Sequence, residues 1–170
     1  MENHLLILRL LHIVSGVLWA GAVFTLAFFL LPAINALGAG GGKVMQQFVK
    51  TNKYPLVMSI AATTNILSGI AMYWILSDRF SLEWMLTNYG MSLTLGGLTA
   101  LVAYIIGLTV NRPGALRMEQ IGKEIAATGI PTDEQIHEIS KIKNRLTVST
   151  NYIAYLLLFT VVTMAIARYC

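Results

Sequence analysis

A single histidine, His12, lies inside the first long apolar segment of the chain, residues 5–31. An ionisable side chain is costly to bury in lipid, so a residue of this kind is a candidate functional site. Neutral imidazole is the commonest protein ligand for metal ions, and it is also an axial ligand of haem iron. His12 is therefore the residue around which a metal or haem site would be built.

The second axial ligand of such a haem is expected to be a methionine. His4 precedes the apolar segment and His137 lies in a distant polar connection, so neither reaches the depth of His12. Met72 and Met164, in the second and fourth apolar segments, are expected at a similar depth. Methionine ligates haem iron in some proteins, although methionines in apolar helices more often serve packing.

Arg9 and Trp19 fall near the His12 face of a helix with 3.6 residues per turn. Arg9 would pair with the propionates of a haem, and Trp19 would border it. The alternative is that His12 only hydrogen-bonds a neighbouring helix and fixes its packing. Other polar side chains in the apolar segments are expected to hydrogen-bond between helices: Thr63, Thr64, Asn65, Ser68, Ser149, Thr150, Asn151 and Tyr155.

The composition is that of an integral membrane protein. Of the 170 residues, 56% are hydrophobic and only 12% are charged, and the mean hydropathy is +0.66. A soluble domain of this length would carry about 25% charged residues. The expected partner is the lipid bilayer and no nucleic acid. The lone cysteine, Cys170, forms no internal disulfide.

Four apolar segments predict four membrane-spanning helices in a single membrane domain, residues 1–170. The spans are expected at residues 5–31, 55–77, 90–111 and 146–167. Each has about the 20 residues that a helix needs to cross the hydrocarbon core. Residues 5–31 are too long for a signal peptide, so we expect them to be retained as the first helix. The predicted fold is an all-α bundle of four transmembrane helices.

The basic residues predict the orientation. Nine of the 12 lysines and arginines lie in the first and third connections, residues 32–54 and 112–145. Basic residues favour the cytoplasmic side, so both termini are expected outside. The run of residues 38–42, GAGGG, is expected to be a flexible loop.

Residues 112–145 are expected to form a cytoplasmic helical hairpin. Residues 114–128 would prolong the third span, and Thr132 with Gln135 forms a capping box that would start the fourth helix. This fourth helix would continue to residue 167 and protrude well beyond the membrane. The hairpin is either a docking surface for a partner or a simple connection between two spans.

The chain carries no recognisable catalytic motif, and we assign no catalytic residue. No Asp, Glu or Lys lies in the middle of a predicted span. This argues against a proton relay or an ion-coupled transporter, which usually needs such a group at depth.

Three segments resemble a known family. LRLLHIVSGVLWAGAVF…LLP, NILSGIAMYW and MAIARY are similar to the copper-resistance D superfamily of four-helix membrane proteins, especially its short bacterial relatives. The small membrane protoporphyrinogen oxidases, which carry haem, show a similar Leu-His followed by Trp, matched here by Leu11-His12 and Trp19. The resemblance implies a multi-pass protein of the bacterial cytoplasmic (inner) membrane, with a b-type haem on His12 or a role in copper handling.

Three functions stay open from the sequence. The first is a membrane protein that binds haem b and transfers electrons. The second is a non-catalytic subunit of a larger membrane complex or homo-oligomer. The third is transport of copper or another small solute, for which the spans offer no evident polar pathway.

Overall fold

A computed structural model of the chain describes residues 2–170, with the side chains at positions 2, 39, 43, 46 and 49–52 outside the description. The elements are α1 (Glu2–Thr25), a π-helical turn (Leu26–Leu30), α2 (Leu31–Ala36), a 3-10 turn (Gly38–Gly40), α3 (Gly41–Asn52), α4 (Tyr54–Leu76), α5 (Leu82–Met85), α6 (Asn88–Ile106), a π-helical turn (Gly107–Asn111), α7 (Arg112–Thr128), α8 (Asp133–Ile166) and a 3-10 turn (Ala167–Tyr169). The all-α prediction is confirmed.

Four helical rods are long and apolar enough to cross a membrane: Asn3–Ala36, Tyr54–Leu76, Asn88–Thr128 and Asp133–Tyr169. The third contains 41 residues, and the fourth 37. At about 1.5 Å per residue, each is far longer than the roughly 30 Å of the hydrocarbon core. The predicted length of the third and fourth helices is therefore confirmed, and their protrusion from the membrane stays a prediction.

The rods form an antiparallel bundle in which neighbours along the chain are also neighbours in space. α1 packs along α4 and α6 packs along α8, while α1 with α8 and α4 with α6 close the ring. The start of α1, the end of the fourth rod and residues 77–87 lie at one end of the bundle, here called the terminal end. The opposite end, which carries α3 and the hairpin, is called the hairpin end. That the hairpin end faces the cytoplasm remains a prediction from the charge pattern.

Small residues line the core of the bundle. Ala61, Ala62, Ala103 and Ala154 are buried among larger side chains such as Trp19. Small side chains let helix backbones approach closely. Such close packing holds helices together in lipid, where the hydrophobic effect does not drive their association. The outward faces carry exposed aliphatic residues, as a lipid-facing surface requires.

The glycine-rich run differs from our expectation. Instead of a flexible loop, residues 38–40 form a 3-10 turn and Gly41 begins the amphipathic helix α3. A Cβ at Gly41 would lie 2.1 Å from the backbone oxygen of Ile34. Glycine is needed here because α3 turns back tightly against α2.

The hairpin is folded as predicted. The Thr132 hydroxyl accepts a hydrogen bond from the Gln135 backbone N–H, and the Gln135 side chain accepts one from Thr132 N–H. Across the hairpin, the Arg117 guanidinium donates to both carboxylate oxygens of Glu138, at 2.7 and 2.8 Å. These bonds lower the pKa of the Glu138 carboxyl below its ordinary value.

Candidate functional site

His12 lies in the contact between α1 and α4, and its side chain is half-buried. Its ring atom Nδ1 lies 2.9 Å from the backbone oxygen of Asn65. A carbonyl oxygen can only accept, so Nδ1 carries the hydrogen in this bond. In the neutral ring, Nε2 then holds the lone pair. Among the described residues, no hydrogen-bond partner of Nε2 is found.

Asn65 returns the interaction. It is 7% exposed, and its side-chain Nδ2 donates to the backbone oxygen of His12 at 2.8 Å. The Asn65 backbone oxygen also accepts from the Ser68 hydroxyl at 3.0 Å. Two helices are thus joined by reciprocal side-chain to backbone bonds. These bonds fix both the tautomer and the orientation of the imidazole.

Two glycines make room for this pair. A Cβ at Gly69 would lie 2.9 Å from His12 Cε1 and 3.1 Å from Nδ1. A Cβ at Gly16 would lie 2.7 Å from Asn65 Nδ2. All three distances are below ordinary van der Waals separation, so only glycine lets the two side chains sit where they do.

The other predicted site residues divide between this contact and the rest of the bundle. Met72 is half-buried on α4, three residues beyond Gly69 and therefore about 4.5 Å further along the helix axis. Arg9, three residues before His12 on α1, is exposed. Because α1 and α4 are antiparallel, both residues lie about one turn from the His12 ring toward the terminal end.

Met164 and Trp19 lie elsewhere. Met164 packs at the contact of α6 with α8, where a Cβ at Gly96 would lie 3.1 Å from its Cγ. Trp19 is 5% exposed, and its ring meets the Tyr104 ring edge-on at a centroid distance of 6.4 Å. The structure therefore brings Met72, and not Met164, to the helix pair that holds His12.

The polar residues predicted to join helices do so in several cases. The Thr63 hydroxyl lies 2.9 Å from that of Tyr104. On the other side of the bundle, the Ser149 hydroxyl donates to Asn111 Oδ1 at 2.5 Å, and Asn111 Nδ2 donates to the Thr150 hydroxyl at 3.0 Å. Tyr155 instead is exposed and contacts the Phe28 ring.

Sequence reasoning missed the specific partner of His12. It singled out Asn65 only as one of several polar residues in the spans that were expected to hydrogen-bond between helices. The sequence did show that Asn65 and Gly69 are four residues apart, about one helical turn. This spacing places a side-chain amide and a position without a side chain on the same face of the helix. Nothing in the sequence said that this face meets His12.

Trp19 also borders a cavity that sequence reasoning did not anticipate. The cavity has a volume of about 150 Å³ and lies toward the hairpin end, between the four rods and α3. His12 is not among its lining residues. In the part of the chain that the structure describes, no group of three His, Cys, Asp or Glu side chains is placed to hold a metal ion.

Comparison with known proteins identifies the family of this chain. A family model described as "Predicted integral membrane protein (DUF2269)" matches residues 6–169. No curated protein and no solved structure matches the chain.

Proposed function

This chain belongs to the DUF2269 family of predicted integral membrane proteins, and we propose that it binds a b-type haem through His12 and transfers electrons within the bilayer. The observation that carries the proposal is the hydrogen bond from Nδ1 of His12 to the backbone oxygen of Asn65, at 2.9 Å. A ligating histidine usually donates its other ring N–H to a carbonyl or carboxylate, which holds the ring in place. His12 has that arrangement, with Nε2 free to face iron.

The surroundings of His12 also fit an axial ligand. The ring is half-buried rather than fully enclosed, and none of the hydrogen bonds found for the described residues occupies Nε2. Arg9 is exposed one turn away and would pair with a propionate. Met72 is the favoured second ligand, because Met164 packs against Gly96 in the other helix pair.

A bound haem would supply one-electron transfer, and the chain's part is to hold and orient it. Asn65 is a positioning residue in this proposal. Its backbone oxygen fixes the Nδ1 hydrogen, and its side-chain amide ties the same turn of α1 to α4. Gly69 leaves the ring the space to keep that orientation.

An absorption spectrum tests the proposal directly. We expect full-length protein, produced in haem-replete cells and purified in mild detergent, to show a Soret band. His12→Ala should abolish the band because the axial nitrogen is lost. Met72→Leu should keep haem but alter the spectrum of the iron, since it removes the proposed second ligand while conserving volume.

The matched control is His137→Ala, since His137 is exposed in the hairpin and remote from the site. It should leave the Soret band unchanged. Absence of any chromophore in the wild-type protein, or a band that survives in His12→Ala, would show that His12 serves packing alone.

A second candidate function is that of a docking subunit in a larger membrane assembly. The hairpin would project beyond the predicted spans, and its tip exposes Ile130 (78%) and Ile136 (52%). Sizing of the gently extracted protein, with and without Ile130→Ser and Ile136→Ser, tests this idea. A monomer that both variants leave unchanged would contradict it.

Membership in the copper-resistance D superfamily is part of the proposal and rests on the quoted motifs around His12 and Trp19. Placement in a bacterial inner membrane is likewise part of the proposal and rests on the same motifs. Copper or solute transport is the least favoured function, because nothing in the described spans supports it beyond that resemblance.

A further inference from the structure

The cavity at the hairpin end has the size and lining of a hydrocarbon site. Its volume is about 150 Å³, and it is bordered by apolar side chains from the spans, among them Val23, Met58 and Ile153. An enclosed apolar protein cavity of about this size accepts a guest as large as benzene, and this one is in addition partly open to the surface. It is far too small for a haem, but it fits a short segment of an acyl chain.

The amphipathic helix α3 closes the cavity on the hairpin side. Met45 and Phe48, three residues apart on one face of α3, both line it. The Phe48 ring lies against the Tyr54 ring at a centroid distance of 4.9 Å, which ties α3 to the start of α4. The apolar face of α3 therefore covers a space inside the bundle.

Polar side chains around the cavity are already satisfied by the protein. The Tyr104 hydroxyl is bonded to Thr63, and the Asn111 amide is bonded to Thr150. The Tyr54 hydroxyl donates to the backbone oxygen of Ala22 at 3.4 Å. A guest therefore finds few free hydrogen-bonding groups inside, and its buried part must be apolar.

Arg112 is the exception. It is the one charged residue among the lining residues, and it is exposed, so it lies where the cavity reaches the surface. Within the described residues, Arg112 makes no ion pair; the ion pairs found there involve Arg117 and Lys123. No Asp or Glu lines the cavity to neutralise it. A guanidinium placed this way suits a phosphate or carboxylate group.

We propose that this cavity binds an anionic amphiphile, with a segment of its acyl chain inside and its phosphate or carboxylate head on Arg112. The two sources of this chemistry are an anionic phospholipid and a free fatty acid. The site is separate from His12, which does not line the cavity, and the inference does not depend on haem binding.

Trp19 makes the proposal testable by fluorescence. It lines the cavity and is only 5% exposed, so a bromine-labelled chain that enters the cavity lies close to the indole and quenches it. The other two tryptophans, Trp74 and Trp84, lie at the terminal end in an aromatic cluster with Phe80 and Tyr73. Trp74→Phe with Trp84→Phe leaves Trp19 as the single fluorophore in the full chain.

The probes are three amphiphiles with dibrominated chains, added to detergent-solubilised protein. They are phosphatidylglycerol, a free fatty acid and, as the neutral control, phosphatidylcholine. We expect saturable quenching by one or both anionic probes and much weaker quenching by phosphatidylcholine. Quenching by phosphatidylglycerol alone identifies a phospholipid as the ligand, and quenching by the fatty acid alone identifies a carboxylate amphiphile.

Two pairs of variants distinguish binding of the ligand's anionic head group from binding of its acyl chain. Arg112→Gln should raise the half-saturating concentration about tenfold, the size expected for loss of a charge-assisted hydrogen bond, while Arg145→Gln should not. Ala62→Leu adds a larger side chain to the cavity wall and should reduce maximal quenching. Its control, Ala165→Leu, lies on an exposed face of α8.

The proposal is overturned if no brominated probe quenches Trp19, or if phosphatidylcholine quenches as well as the anionic probes. It is equally overturned if Arg112→Gln and Arg145→Gln behave alike. Circular dichroism of each variant establishes that the helices are intact, so Arg112→Gln remains decisive even where Ala62→Leu does not fold.

Discussion

Replacing Gly69 by alanine should destabilise the α1–α4 contact, although alanine is the better helix former. The added Cβ would lie 2.9 Å from His12 Cε1 and 3.1 Å from Nδ1. Ordinary carbon contacts are about 3.5–4.0 Å, so the ring must retreat by roughly 0.6 Å or rotate. Either movement takes Nδ1 away from the Asn65 backbone oxygen, to which it now donates at 2.9 Å.

The magnitude follows from three opposing effects. Overpacking of a well-packed contact costs about 1–3 kcal/mol. Loss of a hydrogen bond between membrane helices costs about 0.6 kcal/mol on average. Replacing a helical glycine by alanine offsets up to about 1 kcal/mol of this. The expected net loss in the free energy of unfolding for Gly69→Ala is therefore about 1–2 kcal/mol.

Unfolding of the purified protein by SDS in mixed micelles, followed by circular dichroism, measures this loss. Gly97→Ala is the matched control, because a Cβ at Gly97 in α6 has no atom within 4 Å. It should be neutral or stabilising. Equal effects of Gly69→Ala and Gly97→Ala would refute the reasoning, since helix propensity alone would then explain both. If haem binds at His12, Gly69→Ala should also reduce its occupancy.

Three further predictions concern the hairpin end. Gly41→Ala should loosen the corner between α2 and α3, because its Cβ would lie 2.1 Å from a backbone oxygen; limited proteolysis within α3 should become faster. Thr132→Ala should cost about 1 kcal/mol by removing the capping box, seen as faster hydrogen exchange in the first turn of α8. The Arg117–Glu138 contact should weaken on acidification. The hydrogen bonds from Arg117 lower the pKa of the Glu138 carboxyl in the folded protein. The stabilisation from this contact is therefore fully present above the ordinary carboxyl pKa of about 4.3 and is lost as the pH falls from there through the lowered pKa of the folded protein. Hydrogen-exchange protection across the hairpin should fall accordingly, and Glu138→Gln should remove that pH dependence.

Each of these has a control and a contrary outcome. Gly42→Ala has open space at its Cβ and should leave proteolysis of α3 unchanged; equal cleavage of both glycine variants would argue against a tight corner. For the cap, an unaltered exchange rate in Thr132→Ala would mean that tertiary contacts hold the turn. For the ion pair, the control is Glu134→Gln, which should keep the pH dependence of hydrogen-exchange protection. If this variant also lost the pH dependence, the cause would be the overall charge of the hairpin and not the Arg117–Glu138 contact.

The sequence by itself determined the four long helices of this protein, although not the short helix α3. The four spans follow from apolar runs of sufficient length, because backbone groups in lipid must be satisfied within each helix. The start of α8 follows from Thr132 and Gln135, which interact within one helical turn. These features depend on local chain chemistry, so no knowledge of the tertiary arrangement was required.

Only the tertiary structure decided which faces meet. That His12 contacts Asn65 and Gly69, while Met164 packs against Gly96, depends on how each helix is rotated about its own axis. An apolar helix that faces lipid on one side and protein on the other shows little amphipathic pattern, so its inward face is not evident from composition. The cavity has the same origin: it arises where α3 and the four rods fail to fill the space between them, a property that no single segment contains.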